Sequence, residues 1–270
     1  GANMAGNKHT DNSSEALQPH SQRSRFRLLD RWLTKRQQQN EHNPLIHKQQ
    51  ADSRFTHLLK TANDIATINP NGLIDLVRAI LRPLQSDYLL GIAERGQDAL
   101  PPIVSYTFFG NDVRDRLFSS DGINWRGSKL EAPYYTLQLS RDIVLPCAWS
   151  YAGYVNALAT IGSNKQPETT DRSYQGGWRQ DQNHRVDVWL PWGIGFVNGG
   201  NHSITAGILA GEGEIKPDTI YDMAFLLDDL QCDGVNFIDT QSGANLGPVL
   251  DWRTAAVFEI RRLIRSHLIV

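Results

Sequence analysis

Apolar positions recur at helical intervals in the first part of the chain and at shorter, strand-like intervals after residue 100. Over residues 52–97, Phe55, Leu58, Leu59, Ala62 and Ile65 repeat every three or four positions. The sequence "NPNG" at 69–72 breaks the pattern, and Leu73, Leu76, Val77, Ile80 and Leu81 restart it. This spacing gives each of two helices one apolar stripe, so residues 51–99 read as a helical hairpin. From "PPIVSYTFF" onward the apolar runs are short and β-rich. Residues 103–109, 134–139 and 186–197 predict strands, separated by Gly, Asn and Asp clusters. "AGYVNALATIG" at 152–162 predicts a small helix ended by Gly162, and "DTIYDMAFLL" reads as a strand. Residues 251–267 predict a final helix whose "EIRRLIRSHLIV" segment is amphipathic with an exposed basic face. The fold class is α+β: a small mixed sheet with helices over residues 100–270, preceded by a helical N-terminal region.

The leader differs from both. Residues 1–22 hold little to bury and read as disordered, and Gly1–Asn3 before Met4 read as a cloning remnant. "SRFRLLDRWLTKRQQQN" places Phe26, Leu29, Trp32 and Leu33 at helical spacing, with Arg23, Arg25, Arg27, Arg31, Lys35 and Arg36 around them. Such a helix either docks on its own domain with a solvated basic face or binds nucleic acid or an acidic surface. The Gln-rich stretch to Gln50 reads as a linker, so residues 1–50 form a basic leader carrying one amphipathic helix.

Composition narrows the function classes. The chain has 270 residues, 40% hydrophobic and 21% charged, with a formal net charge of -2, enough apolar content for a sizeable core. Near-neutral charge exerts no global pull on nucleic acid or membrane, which leaves local patches to do so. The apolar run 188–197 contains Pro191 and is too short to span a bilayer. Cys147 and Cys232 have no metal or redox spacing and read as reduced core residues of a cytoplasmic, bacterial-type protein.

The least ordinary stretch is "FVNGGNHSITAGILAGEGEI" at 196–215. An apolar strand meets a Gly-Gly turn, and Asn-His-Ser stands where a helical pattern begins. Gly199 and Gly200 make a tight turn cheap. Asn201 or Ser203 suits an N-cap, and Gly211 ends the helix. That arrangement aims free N–H groups and the positive helix end at the turn, a natural seat for phosphate or carboxylate. Gly199, Gly200, Asn201, Ser203 and Thr205 are the candidate phosphate-binding residues. His202 in the first turn is the candidate general acid/base. The competing reading is purely architectural: Asn201 caps, His202 bonds a carbonyl, and the glycines serve geometry alone.

A strand, Gly-Gly-X-His, a helix of small residues and a Gly-bounded step into another strand resembles the ParB/sulfiredoxin superfamily. The match lies in Gly199, Gly200, His202 and the run into Ala206, firmly over about 20 residues and loosely over residues 130–230. The resemblance implies nucleotide phosphates bound at the helix start, with Mg²⁺ accompanying the nucleotide. It also implies phosphotransfer or phosphodiester cleavage by a nuclease-like enzyme. Two positions depart from it. Asn201 stands where a sulfiredoxin has its nucleophilic Cys, which removes sulfinate repair. Ser203 stands where the family has Arg, which removes a bidentate phosphate ligand; Arg179 or Arg185 would have to substitute.

Other constellations point elsewhere. Glu212 and Glu214 form a Glu-X-Glu pair resembling the catalytic turn of ADP-ribosyltransferase toxins. Those enzymes need an upstream Arg strand and a Ser-Thr-Ser strand, whereas the nearest Ser-X-Thr, Ser203 to Thr205, sits nine residues before Glu212 in the helical pattern. The alternative to an enzyme is a binding or regulatory module that meets nucleic acid or protein through its basic helices. His184 and Asp187 fall on opposite faces of a strand, so with His202 they do not compose a metal site. Asp228, Asp229 and Asp233 follow a strand and would suit Mg²⁺ beside phosphate chemistry, or simply a solvated loop. Trp178 in "QGGWRQ" is a candidate for stacking on a base.

Overall fold

The computed structural model describes residues 44–97, 101–165 and 174–264, with the backbone alone for 44–52. The basic helix expected over 24–40 lies outside the described residues. Helix α1 (Pro44–Ile68) begins inside the stretch expected to be a linker, with Pro44 at its first position, where the missing N–H costs nothing. Asn69 then accepts from the Asn71 N–H at 3.0 Å and turns the chain into α2 (Leu73–Arg95). Leu73, Val77, Ile80 and Leu81 of α2 are buried along one stripe, as the spacing predicts.

Residues 103–109 do not form the expected strand. They hold a 3₁₀ turn, Ser105–Thr107, and a short helix α3 (Asn111–Arg114) follows. The apolar residues here meet an aromatic cluster rather than a neighbouring strand: Phe108 packs edge-on to Phe196, and Phe109 lies 4.8 Å from Trp192. High β-propensity records a fit to a packed surface, and here a loop provides the packing.

The central sheet is mixed. Strands β1 (Ser128–Lys129), β2 (Leu137–Gln138) and β3 (Val144–Leu145) are two residues each. After α4 (Tyr151–Thr160) come β4 (Arg185–Leu190) and β5 (Ile194–Gly199), then α5 (Asn201–Ala210), β6 (Glu214–Ile215) and β7 (Thr219–Asp222). The five-stranded order is β1-β7-β4-β5-β3, with β4 antiparallel to β5, parallel to β7, and β3 parallel to β5. β2 and β6 pair separately. A short α6 (Phe225–Asp229) leads into an antiparallel meander of β8 (Leu230–Cys232), β9 (Asn236–Asp239) and β10 (Asn245–Pro248), and α7 (Trp252–Ile264) follows.

Alternation along β4 explains why the sheet needs cover on both sides. Val186, Val188 and Leu190 join Leu137, Leu139, Ile204 and Ile215 in one core. Trp189, with Ile194 and Phe196 of β5, joins the other, which the α1, α2 and α7 side chains fill. The helices therefore share their core with the sheet. α7 is buried on nearly every side: Ala255, Ala256, Val257, Phe258 and Ile260 are each 0% exposed. This corrects the expected basic face. Arg261 is buried, and Arg262 turns inward to donate to Leu230 O at 2.7 Å and Leu227 O while pairing with Glu259. Neither cysteine is in a disulfide; Cys147 is half-buried and Cys232 buried, and burial pushes the Cys232 thiol up to about 12. Among the described residues no helix is long and apolar enough to cross a membrane.

Candidate functional site

β5, the turn and α5 follow the predicted order. The strand ends at Gly199, Gly200 stands in the left-handed region (φ 77°), and the helix runs to Gly211, also left-handed at φ 71°. The N-cap is Gly200, not Asn201 or Ser203, because only glycine adopts that conformation without strain. Freed from capping, Asn201 reaches outside its helix, and its Oδ1 accepts from the Cys147 N–H at 2.8 Å. Thr205 bonds back to Asn201 O at 2.8 Å and is buried. Ser203 O accepts from Trp178 Nε1 at 2.8 Å.

His202 is the junction between two helices. Its Nε2 accepts from the Ser150 N–H at 3.1 Å, and Ser150 is the N-cap of α4, its side chain accepting from the Gly153 N–H. A Cβ on Gly153 would lie 3.0 Å from His202 Nε2, a contact that would press on this ring. Trp149 lies edge-on at 5.2 Å from the other side and is itself 62% exposed. The first turns of α4 and α5 thus open side by side. The Asn201, His202 and Ser203 N–H groups precede the first intrahelical bond of α5, Ile204 N to Gly200 O. Burial lowers the His202 pKa, and a ring nitrogen that accepts a backbone N–H must be unprotonated. The remaining proton therefore sits on Nδ1, which makes His202 a donor at that atom.

His184 repeats this arrangement. It is buried, its Nδ1 accepts from the Asp181 N–H at 2.7 Å, and burial lowers its pKa against the pull of Asp181. Both imidazoles resist protonation in the folded chain, whereas in the unfolded chain they take protons below about pH 6.5. Between the depressed native values and 6.5 the unfolded state binds more protons, so stability is present above 6.5 and lost as pH falls. The melting-temperature advantage of the parent over His202→Gln should therefore shrink between pH 8 and pH 5. An advantage that widened would mean that His202 is charged in the fold.

The other candidates have local duties. Glu212 accepts from Ser163 N at 2.9 Å and Trp178 N at 2.8 Å, with Ser163 Oγ as a third donor, and these bonds lower its pKa. It ties Ser163 and Trp178 to the end of α5, while Glu214 accepts from Gln138 Nε2. Asp229 pairs with Arg126, and Asp233 accepts from Val235 N and Asn236 N in the β8–β9 turn. Among the described residues no group of three His, Cys, Asp or Glu stands close enough to hold a metal ion. Trp178 is buried against Gly207, Gly213 and Leu139, which corrects its expected role as a base-stacking platform. Trp149 has the exposure that role needs. Its signal in the sequence was its place just before the Ser150 cap. Arg185 packs against Gly199, whereas nothing places Arg179 at the turn.

No curated protein and no solved structure matches the chain. A family model described as "Family of unknown function (DUF6710)" matches residues 37–269, spanning α1 to α7 and the whole turn. The chain belongs to the DUF6710 family.

Proposed function

We propose that the protein binds a phosphate-bearing ligand, a nucleotide or the end of a nucleic acid, where the N-termini of α4 and α5 meet. One observation carries this reading: His202 links the two helix starts through Ser150, so the positive ends of both helices open onto one surface. Each helix N-terminus acts as roughly half a positive charge, and an anion placed between two is attracted by both. The ligand's oxygens take the first-turn N–H groups of Asn201, His202 and Ser203 together with the Ser203 hydroxyl. Arg185 beside Gly199 substitutes for the arginine that Ser203 replaces, and Trp149 offers its face to a base. Mg²⁺ arrives with the nucleotide, held chiefly by its phosphates. This is the phosphate seat implied by the ParB/sulfiredoxin resemblance.

His202 serves as a hydrogen-bond donor rather than a base. Its Nε2 lone pair is engaged by Ser150, so taking a proton from water there would break the α4–α5 link. Nδ1–H can hold a phosphate oxygen and stabilise charge on it, which favours a binding module over a hydrolase.

The test is thermal stability against ATP, CTP, ADP, NAD and a short DNA, each with and without Mg²⁺, because a ligand that binds the folded state raises the melting temperature. At least one nucleotide should give a saturable rise. Ser203→Asp places a carboxylate at the helix start, where it favours the helix, and should keep the fold while losing that rise. Trp149→Ala should weaken nucleotide binding and spare inorganic phosphate. If no nucleotide or DNA stabilises the parent, the reading fails.

A further inference from the structure

Strand alternation gathers a set of polar side chains at one end of the central sheet, where the helical cover gives out. Asp187 of β4 points to the same side as Trp189 and as Phe196 opposite it on β5, the side whose core the helices fill. Thr219 stands opposite Asp187 on β7, Tyr221 follows two residues on, and Lys129 of β1 stands opposite Tyr221. All therefore share that side. Asp187, Thr219 and Tyr221 are half-buried, whereas Asn198 and Lys129 are exposed. Tyr106, 40% exposed, comes in from the 105–107 turn. Its ring lies 5.5 Å from that of Trp125, which lies 5.5 Å from Tyr221.

These groups meet one another but supply no counter-ion. Asn198 Nδ2 donates to Asp187 Oδ2 at 2.7 Å, which leaves Asn198 Oδ1 as an acceptor. The Thr219 hydroxyl is close enough to Asp187 and to Tyr221 to favour the charged form of each. Burial nonetheless raises the Asp187 pKa, Asp218 raises it further, and Lys129 relieves it only in part. No basic side chain among the described residues forms an ion pair with Asp187. Arg185, two residues back on β4, packs on Gly199 instead. The Tyr221 hydroxyl stands near both Asp187 and Tyr106, and burial raises its pKa as well. A carboxylate half out of water among aromatic rings is disfavoured until a positive charge joins it.

We propose that this end of the sheet binds a primary alkylammonium group, with Asp187 as its counter-ion and the Tyr106 and Tyr221 rings beside its alkyl chain. A protonated amine brings three N–H donors and no acceptor. Asp187, Asn198 Oδ1 and the Thr219 hydroxyl are acceptors on three adjacent strands, with β4 between β5 and β7. A ring face attracts a cation through its quadrupole, so the tyrosines add to the pull of the carboxylate. A quaternary ammonium has no N–H to give and leaves those acceptors unmet. Free amines and lysine side chains present the same group, and the experiment separates them. The phosphate seat lies across the sheet, where Ile204 of α5 packs with Val186 and Val188, so the two readings stand or fall separately.

The full chain is titrated with butylammonium, cadaverine and a short lysine-containing peptide, with melting temperature and heat of binding as readouts. Butanol, tetramethylammonium, sodium and magnesium serve as controls. At least one primary amine should bind at millimolar concentration and stabilise the parent more than any control, and added salt should weaken it. Tighter binding of cadaverine than of the peptide assigns the site to free amines, and the reverse assigns it to lysine side chains. Asp187→Asn keeps the shape and removes the charge. It should fold with little change in melting temperature, since burial already disfavours that charge, and should weaken amine binding about tenfold or more. Any nucleotide response should persist in it. Tyr106→Leu keeps an apolar side chain against Phe118 and Trp125 and removes the ring. It should weaken amine binding about three- to fivefold, which tests the proposal even if Asp187→Asn fails to fold. Three results would each overturn the proposal: no amine response in the parent, an equal response to any control, or unchanged amine affinity in the variants that fold.

Discussion

Phe258→Ala is expected to destabilise the protein by about 3–5 kcal/mol, the usual scale for emptying a large aromatic site in a core. Phe258 is 0% exposed, and three rings converge on it: Phe109 at 5.3 Å, Trp192 at 5.5 Å and Phe237 at 5.4 Å. These come from the 101–110 loop, the turn between β4 and β5, and the β8–β10 meander, so no one element can move in to fill the space. Neighbours that cannot collapse leave a cavity, and the lost contacts add to the lost burial. The same geometry predicts one transition rather than two. α1 and α2 share their buried residues with the sheet and α7, so they should unfold with them. Urea denaturation followed by tryptophan fluorescence and by far-ultraviolet circular dichroism should give coincident curves for both proteins, with the variant's midpoint lower. A loss below about 1 kcal/mol would place Phe258 outside the packing centre.

What could be seen in the sequence was mostly local. The two long helices follow from apolar spacing over ten or more residues, and the β5–α5 turn follows from glycines whose backbone freedom is a property of one residue. Gly200 and Gly211 bracket α5 because each is the residue that tolerates a positive φ. Asp233 was read only as a group after a strand, whereas β8 and β9 pair across the Asp233-Gly234 turn, with Gly234 at φ 89°. Strands of two residues, such as β1 and β3, are too short to display a period. Segment 103–109 has the composition of a strand and the surroundings of a packed loop.

The site was legible in position and not in wiring. The bonds that define it join residues far apart in the chain, Cys147 with Asn201 and Ser150 with His202, separations of 54 and 52 residues. No spacing rule reaches that far. Burial of charged and aromatic residues was equally hidden. An arginine in a basic helix reads as solvated, yet α7 threads between α1, α2 and the meander, and Arg261 is enclosed with it. Trp178 and Trp149 look alike in sequence, but the loop held by Glu212 folds the first inward and leaves the second on the surface.

Gly200→Ala carries the second large effect, and it isolates how firmly the turn is built. A methyl on Gly200 would lie 2.5 Å from His184 Cδ2 and 3.1 Å from its Cα. Neither atom is free to retreat: His184 is buried, held by the Asp181 N–H, and packed 4.9 Å from the Trp178 ring. The left-handed backbone adds about 1–2 kcal/mol for a residue with a Cβ, and overpacking adds about 1–3 kcal/mol, so a total of about 2–5 kcal/mol is expected. Gly211 provides the control. Its φ is also positive, at 71°, and nothing lies within 4 Å of an added methyl. Gly211→Ala should therefore show the backbone cost alone, and the difference between the two variants measures the contact with His184. If the α4–α5 junction binds phosphate, Gly200→Ala should also lose the nucleotide response, because backing away from His184 displaces the first-turn N–H groups of Asn201, His202 and Ser203. Gly211→Ala, at the far end of α5, should keep it. Equal losses of stability in the two variants would mean that His184 yields, and a turn that yields cannot hold those donors in place for a ligand.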